Sequence, residues 1–150
     1  MPAYRKILVA VDGSDASNKG LREAVRVAKA EGAQLFAMHV VDHFPAFAGL
    51  DSMVGAPAVD VLPALREGGN RVLDKAQALA LKQGVKAKTS LREMLSGAAA
   101  DPIVREARKV GADLIVLGTH GRRGVRRMVL GSDAEQVVRT ASVPVLLVRG

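Results

Sequence analysis

The chain contains no cysteine, which removes disulfide frames, thiolate metal sites and cysteine nucleophiles at once. It has no tryptophan, and aromatic residues make up only 3% of it, so the stacked rings that grip single-stranded nucleic acid lack their parts. No apolar run approaches the roughly 18 consecutive residues that mark a membrane-spanning helix. Its first dozen residues read as a buried strand and not as a cleavable signal. These absences lead to the expectation of a soluble cytoplasmic protein.

What is present fits one globular unit. The 150 residues are 49% hydrophobic and 25% charged, which excludes global disorder, and a chain of this size buries about 68–70% of its unfolded surface. A single domain over 1–150 is expected. The formal net charge of +7 points to anionic partners, but charge speaks to association and not to fold.

Lys6 to Val11 is a short, continuously apolar run rich in branched side chains, the pattern of a strand covered on both faces, and it stops at Asp12-Gly13-Ser14. Leu21, Ala24, Val25 and Ala28 then recur at helical spacing, with Gly32 placed as a left-handed C-cap. Gln34 to Val41 is the next apolar run, ending at Asp42. Residues 43–63 hold three prolines and two glycines without a sustained period and read as a long surface loop. A second helix follows on Leu62, Leu65, Val72, Leu73, Ala76, Leu79 and Ala80, with Gly68-Gly69 as an irregular early turn and Gly84 as its end.

Alternation from Val85 to Arg92 predicts a strand with one wet face at or near a sheet edge. Asp101-Pro102 reads as an N-cap followed by proline at the first helical position, opening a helix that closes at Gly111. Asp113 to Leu117 is a fourth buried strand, Ser132 to Thr140 a short helix, and Pro144 to Val148 a last apolar strand. This alternation predicts an α/β fold, an open parallel five-stranded sheet with helices on both faces. Ligands of such sheets sit beyond the carboxyl ends of the strands at the switch point of strand order. That rule nominates Asp12-Gly13-Ser14, Val40 to Asp42, and the segment from Gly118 onward.

The last of these is the most informative. Gly118-Thr119-His120-Gly121 is followed, after nine residues, by Gly131-Ser132. Glycines there let main-chain N–H groups approach an anion, and the helix that follows adds unpaired N–H groups and a positive dipole end. A phosphate is the expected guest. No Gly-Lys-Ser/Thr closes the loop, so it is not a Walker A motif. Two plainer readings stay open: Ser132-Asp133-Ala134-Glu135 is a capping-box sequence, and the glycines are also turn residues.

The Gly118-x-x-Gly121-x9-Gly131-Ser132 pattern, the opening Ile7-Leu8-Val9-Ala10-Val11-Asp12-Gly13-Ser14, His39-Val40 and the closing Pro144-Val145-Leu146-Leu147-Val148 together resemble the universal stress protein family. The resemblance covers the whole chain except the loop at 43–63, and the glycine signature resembles that of the family's ATP-binding branch. It implies a Rossmann-like fold of the adenine nucleotide alpha hydrolase kind, a cytoplasmic homodimer, ATP as ligand, and a regulatory role in stress response with little catalytic power; magnesium is expected with the ATP on the separate ground of Asp133. Position by position, it implies that Asp12 and the main chain of Val40 contact adenine, Gly118 the ribose, and Gly121, Gly131 and Ser132 the triphosphate. Asp133 departs from the small or hydroxyl residue usual there, and its charge beside a phosphate calls for a bridging divalent ion.

Other residues are weaker candidates. His39 and His43 lie four apart on a strand, a geometry unsuited to chelation. His120 lacks a nucleophile elbow to serve. Arg122, Arg123, Arg126 and Arg127 crowd the glycine segment, either as phosphate partners or as a solvated basic loop. A basic interaction protein for nucleic acid or a partner protein, and a slow ATPase relying on Asp12, Asp133 or His120, remain as alternatives.

Overall fold

A computed structural model describes residues 1–43, 61–95, 97–119 and 131–150. The elements alternate: β1 (Lys6–Ala10), α1 (Asp15–Glu31), β2 (Gln34–Asp42), α2 (Leu62–Lys82), β3 (Ala87–Met94), α3 (Ala100–Val110), β4 (Leu114–Gly118), α4 (Ser132–Thr140) and β5 (Val145–Val148). All strand pairs are parallel, in the order β3-β2-β1-β4-β5. The expected five-stranded parallel α/β sheet is therefore the fold, with β3 and β5 at its two edges.

The period-2 alternation of β1 divides the core. Ile7, Val9 and Val11 face α1 and α2, packing with Leu21, Val25, Leu73 and Ala80. Leu8 turns to the other side with Met38, Ile115, Ile103, Val104 and Val137, under α3 and α4. A strand with both faces covered must be apolar at consecutive positions, which is why Lys6 to Val11 reads as an unbroken run. Among the described residues, no helix is long and apolar enough to cross a membrane.

Several local expectations need correction. The helix α2 already begins at Leu62, with Pro63 in its first turn where a missing N–H costs no intrahelical bond. Loop character at 44–60 lies outside the described residues. Gly68-Gly69 does not interrupt α2; a Cβ on Gly69 would lie 2.7 Å from Cδ2 of His39 and 2.8 Å from Cδ1 of Leu91, so this glycine lets the helix seat on the sheet. Strand β3 starts at Ala87, two residues after the alternation begins, while Val85 is buried ahead of it. Asp101 is not an N-cap. The helix α3 opens after Ala99 with no cap from Asp101, which leaves Asp101 and Pro102 within the first turn. The side chain of Asp133 takes up the N–H of Ala99 instead, at 3.2 Å.

Candidate functional site

With β2 and β3 on one side of β1 and β4 and β5 on the other, the order of the sheet reverses between β1 and β4. Their carboxyl ends therefore border the crevice where open α/β sheets take ligands. Val9 is in register with Val116, and Ala10 with Met38. Continuing those registers brings Asp12 beside Val40 and the end of β1 beside Gly118. Of the candidate residues, Asp12, Val40, Gly118, Gly131 and Ser132 gather at this one end of the sheet; Gly121, His120 and the four arginines lie outside the described residues.

Asp12 is fixed by a ring of three hydrogen bonds. Its carboxylate Oδ1 accepts from Ser14 N at 2.9 Å, Ser14 Oγ accepts from Ser17 N at 3.2 Å, and Ser17 Oγ accepts from Asp12 N at 2.9 Å. The same ring makes Ser14 the N-cap of α1, and Gly13 supplies the positive φ of 82° that the turn requires. Asp-Gly-Ser followed by Ser17 carries this arrangement in its spacing, since an Asx turn and an N-cap each act over two or three residues.

The backbone of Val40 lacks a ladder partner on β1 for a reason set by the strand pairing. The last main-chain bond between β1 and β2 runs from Val11 N to Met38 O at 2.8 Å. Residues two apart on a strand direct their main-chain groups to the same side, so the N–H and C=O of Val40 also face β1. There the chain has already turned away at Asp12. Among the described residues no backbone bond joins Val40 to Val11 or Asp12. The Val11 carbonyl is taken by the Nδ1–H of His39 at 2.7 Å, a contact that requires the Nδ1-protonated ring because a carbonyl only accepts. The bond from His39 to Val11 depends on a strand register that sequence spacing alone does not reveal.

The glycine segment leaves β4 and is closed at its base. Thr119 N donates to Val148 O at 3.0 Å, and Gly131 N donates to Thr119 O at 2.8 Å, which holds the two ends of the segment together. Gly118 must be glycine for packing: a Cβ there would meet Ala16 C at 2.6 Å, Ala16 O at 2.7 Å and Ser17 N at 2.9 Å. Gly131 is the N-cap of α4, Ser132 is the first helical residue, and among the described residues no side chain caps the helix. The capping-box reading of Ser132 to Glu135 therefore does not hold, because Glu135 N bonds to Gly131 O at 2.9 Å. The N–H groups of Ser132, Asp133 and Ala134 are left at a positive dipole end, which suits an anion.

Asp133 does not point its charge into free space, since Oδ1 accepts from Ala99 N. At the ends of β2 and β3, His43 Nε2 lies 3.1 Å from Glu93 Oε2, and Arg66 also binds Glu93 through both its Nε and its NH2 group. The Arg66 hydrogen bond and charge hold the Glu93 carboxyl below its usual range, with His43 adding to the effect against the opposing influence of burial. His39 and His43 are thus bonded to a carbonyl and a carboxylate. Among the described residues, no group of three or more histidine and acidic side chains could hold a metal ion.

The universal stress protein family model matches residues 3–149. Universal stress protein MJ0531 from Methanocaldococcus jannaschii is 42% identical over 146 residues, covering 97% of this chain and 82% of its own. Among solved structures, a universal stress protein in complex with cAMP is 28% identical with a TM-score of 0.70, covering 97% of both chains. The universal stress protein from Archaeoglobus fulgidus in complex with dAMP is 25% identical with a TM-score of 0.69, covering 97% of this chain and 98% of its own. A match of that extent, on a sheet of the same kind and with the glycine spacing in place, makes this chain a member of the universal stress protein family.

Proposed function

We propose that this chain binds ATP at the switch point between β1 and β4 and acts as a regulatory, cytoplasmic homodimer in stress response, with little catalytic power. The observation that carries the proposal is that the N–H and C=O of Val40, which face the crevice beside Asp12, make no backbone bond to Val11 or Asp12 among the described residues. One donor and one acceptor on a single residue match the N1 acceptor and N6 donor of adenine. The open N-terminus of α4, with Gly131 and Ser132 at its start, supports the triphosphate assignment. Gly118 and Gly121 complete the proposed set at the ribose and the phosphates. The two solved relatives named above hold adenine nucleotides, dAMP and cAMP.

Magnesium enters on this reading with the triphosphate. Such ions are held by one or two carboxylates together with substrate phosphates, and the described residues assemble no metal cluster of their own. The test is mass spectrometry of small molecules released from the purified protein, followed by calorimetry with ATP. Replacing Gly121 with valine is expected to abolish ATP binding without unfolding the chain, because it blocks backbone approach to the phosphates. Unchanged affinity in that variant removes the phosphate-loop assignment, and a protein that neither carries nor binds an adenine nucleotide removes the proposal.

A further inference from the structure

We infer that His39 is a positioning residue for the base: by occupying the Val11 carbonyl, its ring keeps the backbone of Val40 out of the sheet and available to read adenine. The inference rests on the proposed nucleotide site and adds to it the group that sets its specificity.

The ladder between β1 and β2 would, if continued by one step, pair Val40 N–H with Val11 C=O. That step is missing, and the carbonyl it would use accepts from His39 Nδ1 at 2.7 Å instead. The ring is buried, with 8% of the residue exposed, so water does not compete for this bond. It is also held in place from behind. Gly69 of α2 seats against its far edge so closely that a Cβ would lie 2.7 Å from Cδ2 and 3.3 Å from Nε2. A mid-helix glycine weakens a helix relative to alanine, and the space it leaves for the imidazole gives this one a role. Gly69, His39, Val11 and Val40 thus form one mechanical series from α2 to the crevice.

Three variants and two measurements test this. His39→Phe keeps a ring of similar size without the donor, His39→Asn retains an N–H near the position of Nδ1, and Gly69→Ala displaces the ring while leaving histidine in place. The first measurement is amide hydrogen exchange of Val40 in the nucleotide-free protein. It is expected to be fast in the parent and in His39→Asn, and slower by about tenfold or more in His39→Phe and Gly69→Ala as the ladder closes.

The second is the ratio of ATP to ITP affinity by calorimetry. Hypoxanthine presents a donor at N1 and an acceptor at position 6, the reverse of adenine, so Val40 favours ATP. Loss of the reading groups is expected to lower the ATP/ITP preference by about tenfold in His39→Phe and Gly69→Ala, with His39→Asn close to the parent. A general loss of stability would weaken both nucleotides together and leave the ratio unchanged. Parent-like Val40 exchange in both His39→Phe and Gly69→Ala overturns the inference, as does an unchanged ATP/ITP ratio in those variants. A parent that binds no ATP removes the proposed function, and Val40 exchange still decides whether His39 keeps the strand edge open.

Discussion

The carboxylate of Asp133, on the first turn of α4, accepts the main-chain N–H of Ala99 at the start of α3 at 3.2 Å. One side chain thus holds the residue that precedes α3, 34 positions earlier in the chain, and ties together the two helices on that face of the sheet. Replacing Asp133 with alanine is expected to lower unfolding free energy by about 0.5–1.5 kcal/mol, the usual net worth of one hydrogen bond, and Asp133→Asn by less because it still accepts. Urea titration measures both. Since the carboxylate is already engaged, Asp133→Asn should weaken on magnesium removal as much as the parent does when ATP binding is followed by calorimetry. A magnesium dependence that disappears in the variant would make Asp133 a metal ligand instead.

Gly118 carries a packing constraint that any nucleotide contact shares with it. A Cβ placed there lies under 3.0 Å from three backbone atoms of Ala16 and Ser17, which cannot rotate away as a side chain can. Gly118→Ala is expected to destabilise the fold by about 1–3 kcal/mol, as overpacking does, by pushing α1 off the end of β4. On the facing helix, a Cβ on Gly20 would be 3.2 Å from Gly118 N, a milder contact. The gain in helix propensity on replacing glycine, roughly 1 kcal/mol, should offset much of that crowding in Gly20→Ala. Thermal unfolding of the two variants separates the positions, and equal loss in both would show that the strand end is not the stiffer side.

Legibility in the sequence follows the range of the forces involved. Strand β1, the stripe on α1 and the αL cap at Gly32 are written in neighbouring residues, because burial of both sheet faces and left-handed φ act locally. The switch point was readable too, since alternation of strands and helices leaves few topologies for a parallel sheet. The start of α3 was not. Asp101 had the chemistry of a cap and the right sequence neighbour, but Asp133 reaches Ala99 from another helix, and no local pattern records that. Gly69 looked like a weakness in a helix because its benefit, room for His39 and Leu91, exists only after α2 docks. The same holds for Val40, whose lack of a ladder partner follows from where β1 leaves the sheet and from the His39 ring on the Val11 carbonyl.

Glu106 makes a buried ion pair that gives stability a defined pH dependence. Its side chain is only 6% exposed, and Arg92 donates to it from Nε at 2.7 Å and from its NH2 group at 3.2 Å. Burial alone pushes this carboxyl up, but hydrogen bonds from Arg92 and Ser90 and the nearby cationic charge bring it below its ordinary value of 4.5. A carboxylate with a lowered folded pKa stabilises the protein above its unfolded pKa and loses that contribution as pH falls through the folded one. Acid unfolding of the parent should therefore steepen below pH 4.5, and Glu106→Gln should flatten that limb. Arg92→Ala should cost about 1–3 kcal/mol at neutral pH by leaving a buried acceptor poorly satisfied, a modest figure because Arg92 itself is part exposed. It should also raise the Glu106 pKa, so that stability falls with rising pH where the parent is flat.

The terminal strand gives the last prediction, on assembly. Strand β5 ends the sheet order, so one of its edges has no neighbour within the described residues. Its ladder to β4 uses the carbonyls of Pro144 and Val148, which accept from Ile115 N and Thr119 N at 3.0 Å each. Residues 144, 146 and 148 therefore turn their main-chain groups toward β4, and Val145 and Leu147 turn theirs outward. An apolar edge with free donors is a template for another strand, and a two-fold axis would pair it antiparallel with its own copy. Val145→Pro removes an outward donor without breaking any bond to β4, so the monomer should keep its fold and its thermal midpoint while the dimer is lost. Light scattering and circular dichroism on the same sample read the two effects separately. A folded variant that keeps the mass of a dimeric parent would exclude pairing through this edge, and a parent of monomeric mass would exclude it outright.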